Sequence, residues 1–315
     1  MSSLSLLENK LLNKNISVLP IPLNLGSDNS DTNNAPQYLL DSGLTSALSS
    51  LGMRVTKLPA IKIKKIHSTG KEERFQEVVK ISEVVREIVK TEIDKGQTIL
   101  ALGGDHAISI GTIAGASQAL SGDLGVIWID AHSDIQTKES SLSKNVHGMP
   151  TAAFLGFCND LGVCVPTKIK KENILYIGLK DLDQFEIDTL RQHNLSAITM
   201  FDILQGGFSS VTKAIDILNK QVSNIWISMD MDSIDKQYAP GVALATSGGF
   251  TYREVTNLLN YIGKTSSIVG MDVVEISPEK DIDGVTSGLA LELIASGFGS
   301  KYNWYSSEYM KKYGK

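Results

Sequence analysis

Leu124-Gly125-Val126-Ile127-Trp128-Ile129 runs directly into Asp130-Ala131-His132-Ser133-Asp134. The first half is apolar without alternation, the pattern of a strand covered on both faces, as in a parallel sheet flanked by helices. The second half places a carboxylate, an imidazole and a carboxylate at alternate positions. An extended segment turns all three to one side. The same change from apolar to acidic recurs twice. Thr98 to Leu102 leads into Gly103-Gly104-Asp105-His106, and Ile225 to Met229 leads into Asp230-Met231-Asp232. Charged groups at three buried strand ends are costly unless something positive collects them.

Eight segments read as strands: Ile16–Pro20, Met53–Leu58, Thr98–Leu102, Leu124–Ile129, Ile174–Gly178, Ser196–Phe201, Ile225–Met229 and Ser267–Val274. Amphipathic helices are expected over Glu73–Lys95, with Gly96 as a stop, and over Ser209–Lys220. Thr251-Tyr252-Arg253-Glu254 is a capping box that opens a further helix with Val255, Leu258, Leu259 and Ile262 on its apolar face. No repeat, low-complexity tract or linker divides the chain. A single α/β domain over residues 1–315, built on an open parallel sheet, is expected. Ligands of such sheets bind beyond the carboxyl ends of the strands, where the acidic clusters lie.

Composition narrows the function. The chain has 315 residues, 42% hydrophobic and 21% charged, with a formal net charge of -5, which is ordinary for a folded protein. No basic block marks a nucleic-acid partner, and no apolar stretch is long enough to span a membrane. Met1–Lys14 lacks the apolar core of a signal peptide. The only two cysteines, Cys158 and Cys164, fit small buried hydrophobes in a reducing, cytoplasmic setting. Gly103-Gly104 is no GxGxxG fingerprint, and the polar loop Asn24–Ala35 reads as a surface connection.

Alone, His106 would be read as a hydrogen-bonded structural histidine, and Asp130 or Asp134 as helix caps. Three copies of the arrangement favour a metal site. Asp130, Asp134, Asp230 and Asp232 carry four negative charges, matching two divalent cations, and His106 and His132 add neutral nitrogen ligands. Oxygen-rich ligation without thiolate favours manganese over zinc or copper. Two such ions ~3.5–4 Å apart can share a water and lower its pKa. Of the remaining histidines, His67 and His193 read as surface residues.

The motifs GGDHAISIG (103–111), WIDAHSDI (128–135), SMDMDSID (228–235), NVHGMP (145–150), GGFTYRE (248–254) and GMDVVEISP (270–278) resemble the ureohydrolase family, which includes arginase, agmatinase, formimidoylglutamase and guanidinobutyrase. The resemblance implies a three-layer α/β/α fold around an eight-stranded, mainly parallel sheet. It implies two Mn2+ ions, one held by His106, Asp130, Asp134 and Asp230, the other by His132, Asp130, Asp230 and Asp232. It implies that a hydroxide bridging the ions attacks a guanidinium or formimino carbon, usually releasing urea. His147 matches the family's proton shuttle, and Glu275 the carboxylate that orients the guanidinium. Homo-oligomers, trimers or hexamers, are also implied, to which Tyr302–Lys315 could contribute.

The resemblance leans toward arginase. The segment Gly178 to Glu186 carries Asp181 and Asp183, like the arginase Asp-x-Asp pair whose second member meets the substrate α-ammonium; agmatinases carry an Arg-Ser type sequence there. Ser143 and Asn145 match the arginase stretch that contacts the substrate carboxylate. Four departures bear on the substrate. Gln136 stands where the family has an asparagine at a carboxylate contact, Lys144 replaces a glycine and would bring positive charge there, and Leu244 replaces a threonine. The loop Tyr238-Ala239-Pro240-Gly241-Val242 resembles other ureohydrolases as much as arginase. Hydrolysis of L-arginine to ornithine and urea is the expectation. Another ureohydrolase, or a family member that binds without turnover, is the alternative.

Overall fold

A computed structural model of the chain describes residues 15–28, 31–64, 70–162 and 164–300. The expectations for Met1–Lys14, His67 and Tyr302–Lys315 lie outside the described residues. Eight strands form one sheet: β1 (Asn15–Ile21), β2 (Arg54–Lys57), β3 (Thr98–Gly103), β4 (Gly125–Ile129), β5 (Ile174–Leu179), β6 (Ser196–Thr199), β7 (Ile225–Asp230) and β8 (Ile268–Val274). Their order is β2-β1-β3-β8-β7-β4-β5-β6, and every pairing is parallel.

The near-continuous apolar runs have the predicted cause. β4, β5 and β7 are buried at every position, and their alternate residues face two separate cores. Val126, Trp128 and Tyr176 pack with helices Lys71–Asp94, Ile108–Ala119 and Pro150–Leu155. Ile127, Ile129 and Ile177 pack with helices Phe208–Gln221, Tyr252–Thr265 and Val285–Gly297. Burying each such aliphatic side chain contributes about 1.5–3 kcal/mol, which fixes the strand register against both helical layers. The sheet therefore lies between two helical layers. No described helix is long and apolar enough to cross a membrane.

One predicted strand overran. Ser196–Phe201 stops at Thr199, whose hydroxyl accepts from the Asp202 amide while Asp202 bonds back to the Thr199 amide. That capping box starts helix Met200–Gly206 and takes Met200 and Phe201 with it. The Thr251/Glu254 box forms as predicted. Cys158 and Cys164 are buried and unbridged.

Candidate metal centre and substrate cleft

Four adjacent strands, β3, β8, β7 and β4, end at one place. Beyond them lie Asp105 and His106, Glu275, Asp230 and Asp232, and Asp130, His132 and Asp134. Gly104 makes the first of these ends possible. Its amide donates to Ile21 O at 3.0 Å, and a Cβ there would lie 1.8 Å from Leu23 O. Only glycine lets the chain pass this close to β1 before it turns toward the site.

His106 Nδ1 lies 3.1, 3.2 and 3.0 Å from carboxylate oxygens of Asp130, Asp134 and Asp230. His132 Nδ1 lies 3.4 Å from Asp130 and from Asp232. Two sets of possible ligand atoms result, His106–Asp130–Asp134 and Asp130–His132–Asp232, each within 4.8 Å and sharing Asp130. Burial and the charge of Asp130 push Asp134 up to about 7. Burial, Asp232 and Asp130 drive Asp230 well above the carboxylate range. Burial opposes the charged form of His106, but the nearby carboxylates of Asp130, Asp134 and Asp230 outweigh it and raise its pKa well above the imidazole range. Without cations, protons must therefore supply the compensating charge.

The donor set fits metal ions. His106 Nδ1 and Asp232 Oδ1 are buried without a hydrogen-bond partner. His106 is also oriented from behind. Its Nε2 meets Ser228 Oγ at 2.9 Å, and Ser228 Oγ donates to Asp272 Oδ1 at 2.5 Å. Ser228 gives its single hydrogen to Asp272, so it accepts from His106 Nε2–H and leaves the Nδ1 lone pair for a ligand role. Asp272 also accepts from Ser109 (3.1 Å), Thr112 (3.0 Å) and Trp226 (2.9 Å). The Trp128 ring stacks on His106 with centroids 4.1 Å apart.

A cleft of about 270 Å³ opens over these residues. Glu275 forms part of its floor. It sits in left-handed backbone, φ 63, unusual for a residue with a side chain. Its Oε1 accepts from the His106 amide at 2.9 Å and meets His147 Nδ1 at 3.1 Å. Its Oε2 is buried with no donor. Burial opposes a charged His147, but the Glu275 contact outweighs it and holds the imidazole at about 9.

A model of the Arginase family matches residues 14–299. An arginase of Brevibacillus brevis is 33% identical over 298 residues, covering 92% of this chain and 99% of that protein. The chain belongs to the arginase family. The crystal structure of Bacillus caldovelox arginase superposes with a TM-score of 0.86 at 32% identity, covering 92% of this chain and 99% of that one. An Entamoeba histolytica arginase in complex with L-ornithine gives 0.85 at 27%, covering 91% and 99%.

Within this arginase-family cleft, the structure brings together His106, His132, Asp134, Gln136, Ser143, Asn145, His147, Asp183, Asp230, Asp232 and Glu275, all cleft-lining, with Asp130 buried directly behind His132. Asp181 is not among the lining residues. Its carboxylate is taken by Lys180 Nζ and by Thr246 Oγ1. Lys144 brings no charge to the cleft, because its ammonium is held by the carbonyls of Lys138 (2.6 Å) and Glu139 (3.3 Å). The loop Asn24–Ala35 is more than a surface connection. Gly26 N donates to Asp105 at 2.7 Å, and Gly26 O accepts from the His147 amide at 3.1 Å. Sequence reasoning assigned no role to Asp272, Ser228 or Glu186. Glu186 lines the cleft and caps reciprocally with Asp183, and the Asp-x-x-Glu spacing of Asp183 and Glu186 was the available signal.

Proposed function

We propose that the protein hydrolyses L-arginine to L-ornithine and urea with two manganese ions bound at this centre, the whole chain acting as one ureohydrolase domain. The observation that carries the reading is the buried, donorless Glu275 Oε2 beside a carboxylate–imidazole cluster with two possible metal-ligand sets. A guanidinium offers parallel N–H donors to a carboxylate. His106, Asp130, Asp134 and Asp230 would hold one ion, and His132, Asp130, Asp230 and Asp232 the other. Bound there, the ions compensate the carboxylates and make water a nucleophile at neutral pH.

The chain's own groups do the rest. Glu275 Oε2 accepts from the guanidinium and points its central carbon at the cluster. Asp134 accepts a hydrogen bond from the attacking water. His147, protonated near neutrality and 3.1 Å from Glu275, stands beside the guanidinium and returns a proton to the departing amine. Asp183 and Glu186 offer negative charge for the α-ammonium, and Ser143 and Asn145 face the α-carboxylate. The L-ornithine named with the Entamoeba relative is the amine this cleavage would leave.

Urea release with manganese, measured on L-arginine, agmatine and 4-guanidinobutyrate, tests the reading. Arginine should give the highest kcat/KM. Preference for either analogue would replace arginine as the substrate, and silence on all three would remove the activity.

A further inference from the structure

We propose that Gln136 serves the ammonium end of the substrate, through Asp183, and not the carboxylate end. The inference rests on the guanidino amino acid reading above. The resemblance to the family assigns an asparagine at this position to the carboxylate, and glutamine extends the amide by one methylene. In the structure that extra reach is used. Gln136 Nε2 donates to Asp183 Oδ2, across 47 residues of sequence. Gln136 Oε1 accepts from Ser140 Oγ at 2.6 Å, and its backbone amide donates to Gly148 O at 3.0 Å. Both ends of the amide and the backbone beneath it are therefore fixed.

Asp183 is held from the other side as well. Its Oδ1 accepts from the Glu186 amide at 2.9 Å as the cap of helix Gln184–Gln192. Each carboxylate oxygen has one fixed donor, and each keeps a lone pair. The carboxylate is thus locked in orientation yet open to an incoming ammonium. A substrate carboxylate brought to the same amide would lie beside the Asp183 charge and be repelled. That leaves Ser143 and Asn145, which also line the cleft, to meet the carboxylate. Gln136 is accordingly a positioning residue that acts through Asp183.

Three substrates separate the two roles. Agmatine keeps the ammonium and lacks the carboxylate, 4-guanidinobutyrate keeps the carboxylate and lacks the ammonium, and L-arginine has both. Gln136→Met keeps the length and removes the amide. In the manganese-loaded enzyme it should lower kcat/KM for arginine and agmatine by the same factor. One hydrogen bond's worth is about three- to ten-fold. The rate on 4-guanidinobutyrate should not change, and the substitution should have no effect in an Asp183→Ala background. Gln136→Asn, which shortens the reach, should give the same ordering and guards against a folding defect peculiar to methionine. Losses on arginine and 4-guanidinobutyrate that spare agmatine would overturn the proposal, as would equal losses on all three. Failure of the function itself would appear separately, as wild-type enzyme inactive on the whole panel. Calorimetry with L-ornithine, putrescine and 5-aminovalerate then reads the same pattern: Gln136→Met should weaken the first two and spare the third, and the reverse sinks the idea.

Discussion

The floor of the cleft is built from buried carboxylates and its rim pairs the exposed Asp183 with the buried Glu186, and the two are satisfied in opposite ways. On the floor, Asp130, Asp134, Asp230 and Asp232 crowd one another with two imidazoles among them, and His106 Nδ1, Asp232 Oδ1 and Glu275 Oε2 have no partner. On the rim, Asp183 accepts from Gln136 and the Glu186 amide, while Glu186 accepts from Ser133 N, Ser133 Oγ and the Asp183 amide. The floor leaves these atoms open, and they are where the proposed cations and guanidinium would bind. The rim is complete already, so it can orient a substrate without depending on one. Open valences mark where chemistry happens; closed ones mark where geometry is held.

The contrast can be broken most forcefully at the shared ligands. Asp130→Ala or Asp230→Ala should reduce bound manganese to one ion or fewer per chain. Charge stabilisation of several kcal/mol goes with it, so activity should fall about a thousand-fold or more. Elemental analysis finding two tightly held ions in both variants would show that the floor was not incomplete at those residues. His147→Ala should keep its manganese and lose kcat by roughly a hundred-fold, as expected for a positioned acid. Loss of metal along with this side chain would make His147 a ligand instead.

At the rim the expected pattern is smaller and selective. Asp183→Ala removes a charged partner of the α-ammonium, costing about 1.5–3 kcal/mol, or roughly ten- to a hundred-fold in kcat/KM for arginine. Manganese content should stay the same, and so should turnover of 4-guanidinobutyrate. An equal loss on that substrate would place Asp183 in the scaffold and not in recognition.

The pH dependence of stability should show the smallest effect. His147 is held at about 9 by Glu275, above the ordinary ~6.5 of an imidazole. A raised pKa contributes stability that is full below ~6.5 and is lost as pH rises through 9. In metal-free protein, the difference in urea midpoint between wild type and His147→Ala should shrink between pH 6 and pH 10. Glu275 is buried and the His147 side chain is 23% exposed, and a single hydrogen-bonded contact of this kind amounts to about 1 kcal/mol. A gap that widens with pH would show that Glu275 does not hold the imidazole charged.

The floor was legible in the sequence because strand physics writes it there. An apolar run that stops at Asp or His marks the end of a buried strand, as at β3, β4 and β7, and the alternation after β4 and β7 also shows the direction of the side chains. β6 was misjudged at its end because the Thr199/Asp202 box, a helix signal, sits inside a β-branched run. Asp272 was hidden by the same apolar pattern that revealed β8: its four donors come from β7 and helix Ile108–Ala119, which no local window contains. The rim was illegible for a related reason. Loops decide which of Gln136, Asp181 and Lys144 reach the cleft, and a side chain's partner there can be 47 residues away.

The strand order has a consequence for how the protein is made. β8, the last strand in sequence among the described residues, lies in the middle of the sheet, between β3 and β7. A nascent chain that has emerged only as far as Thr265 holds seven strands but cannot close them into one sheet. It presents two apolar edges with unpaired backbone groups, the kind of surface that captures other chains. The last strand then joins the halves and, in the same event, delivers Glu275 to the centre of the cleft. Closure of the sheet and assembly of the cleft floor are therefore a single step, and a chain that stops before residue 268 lacks both.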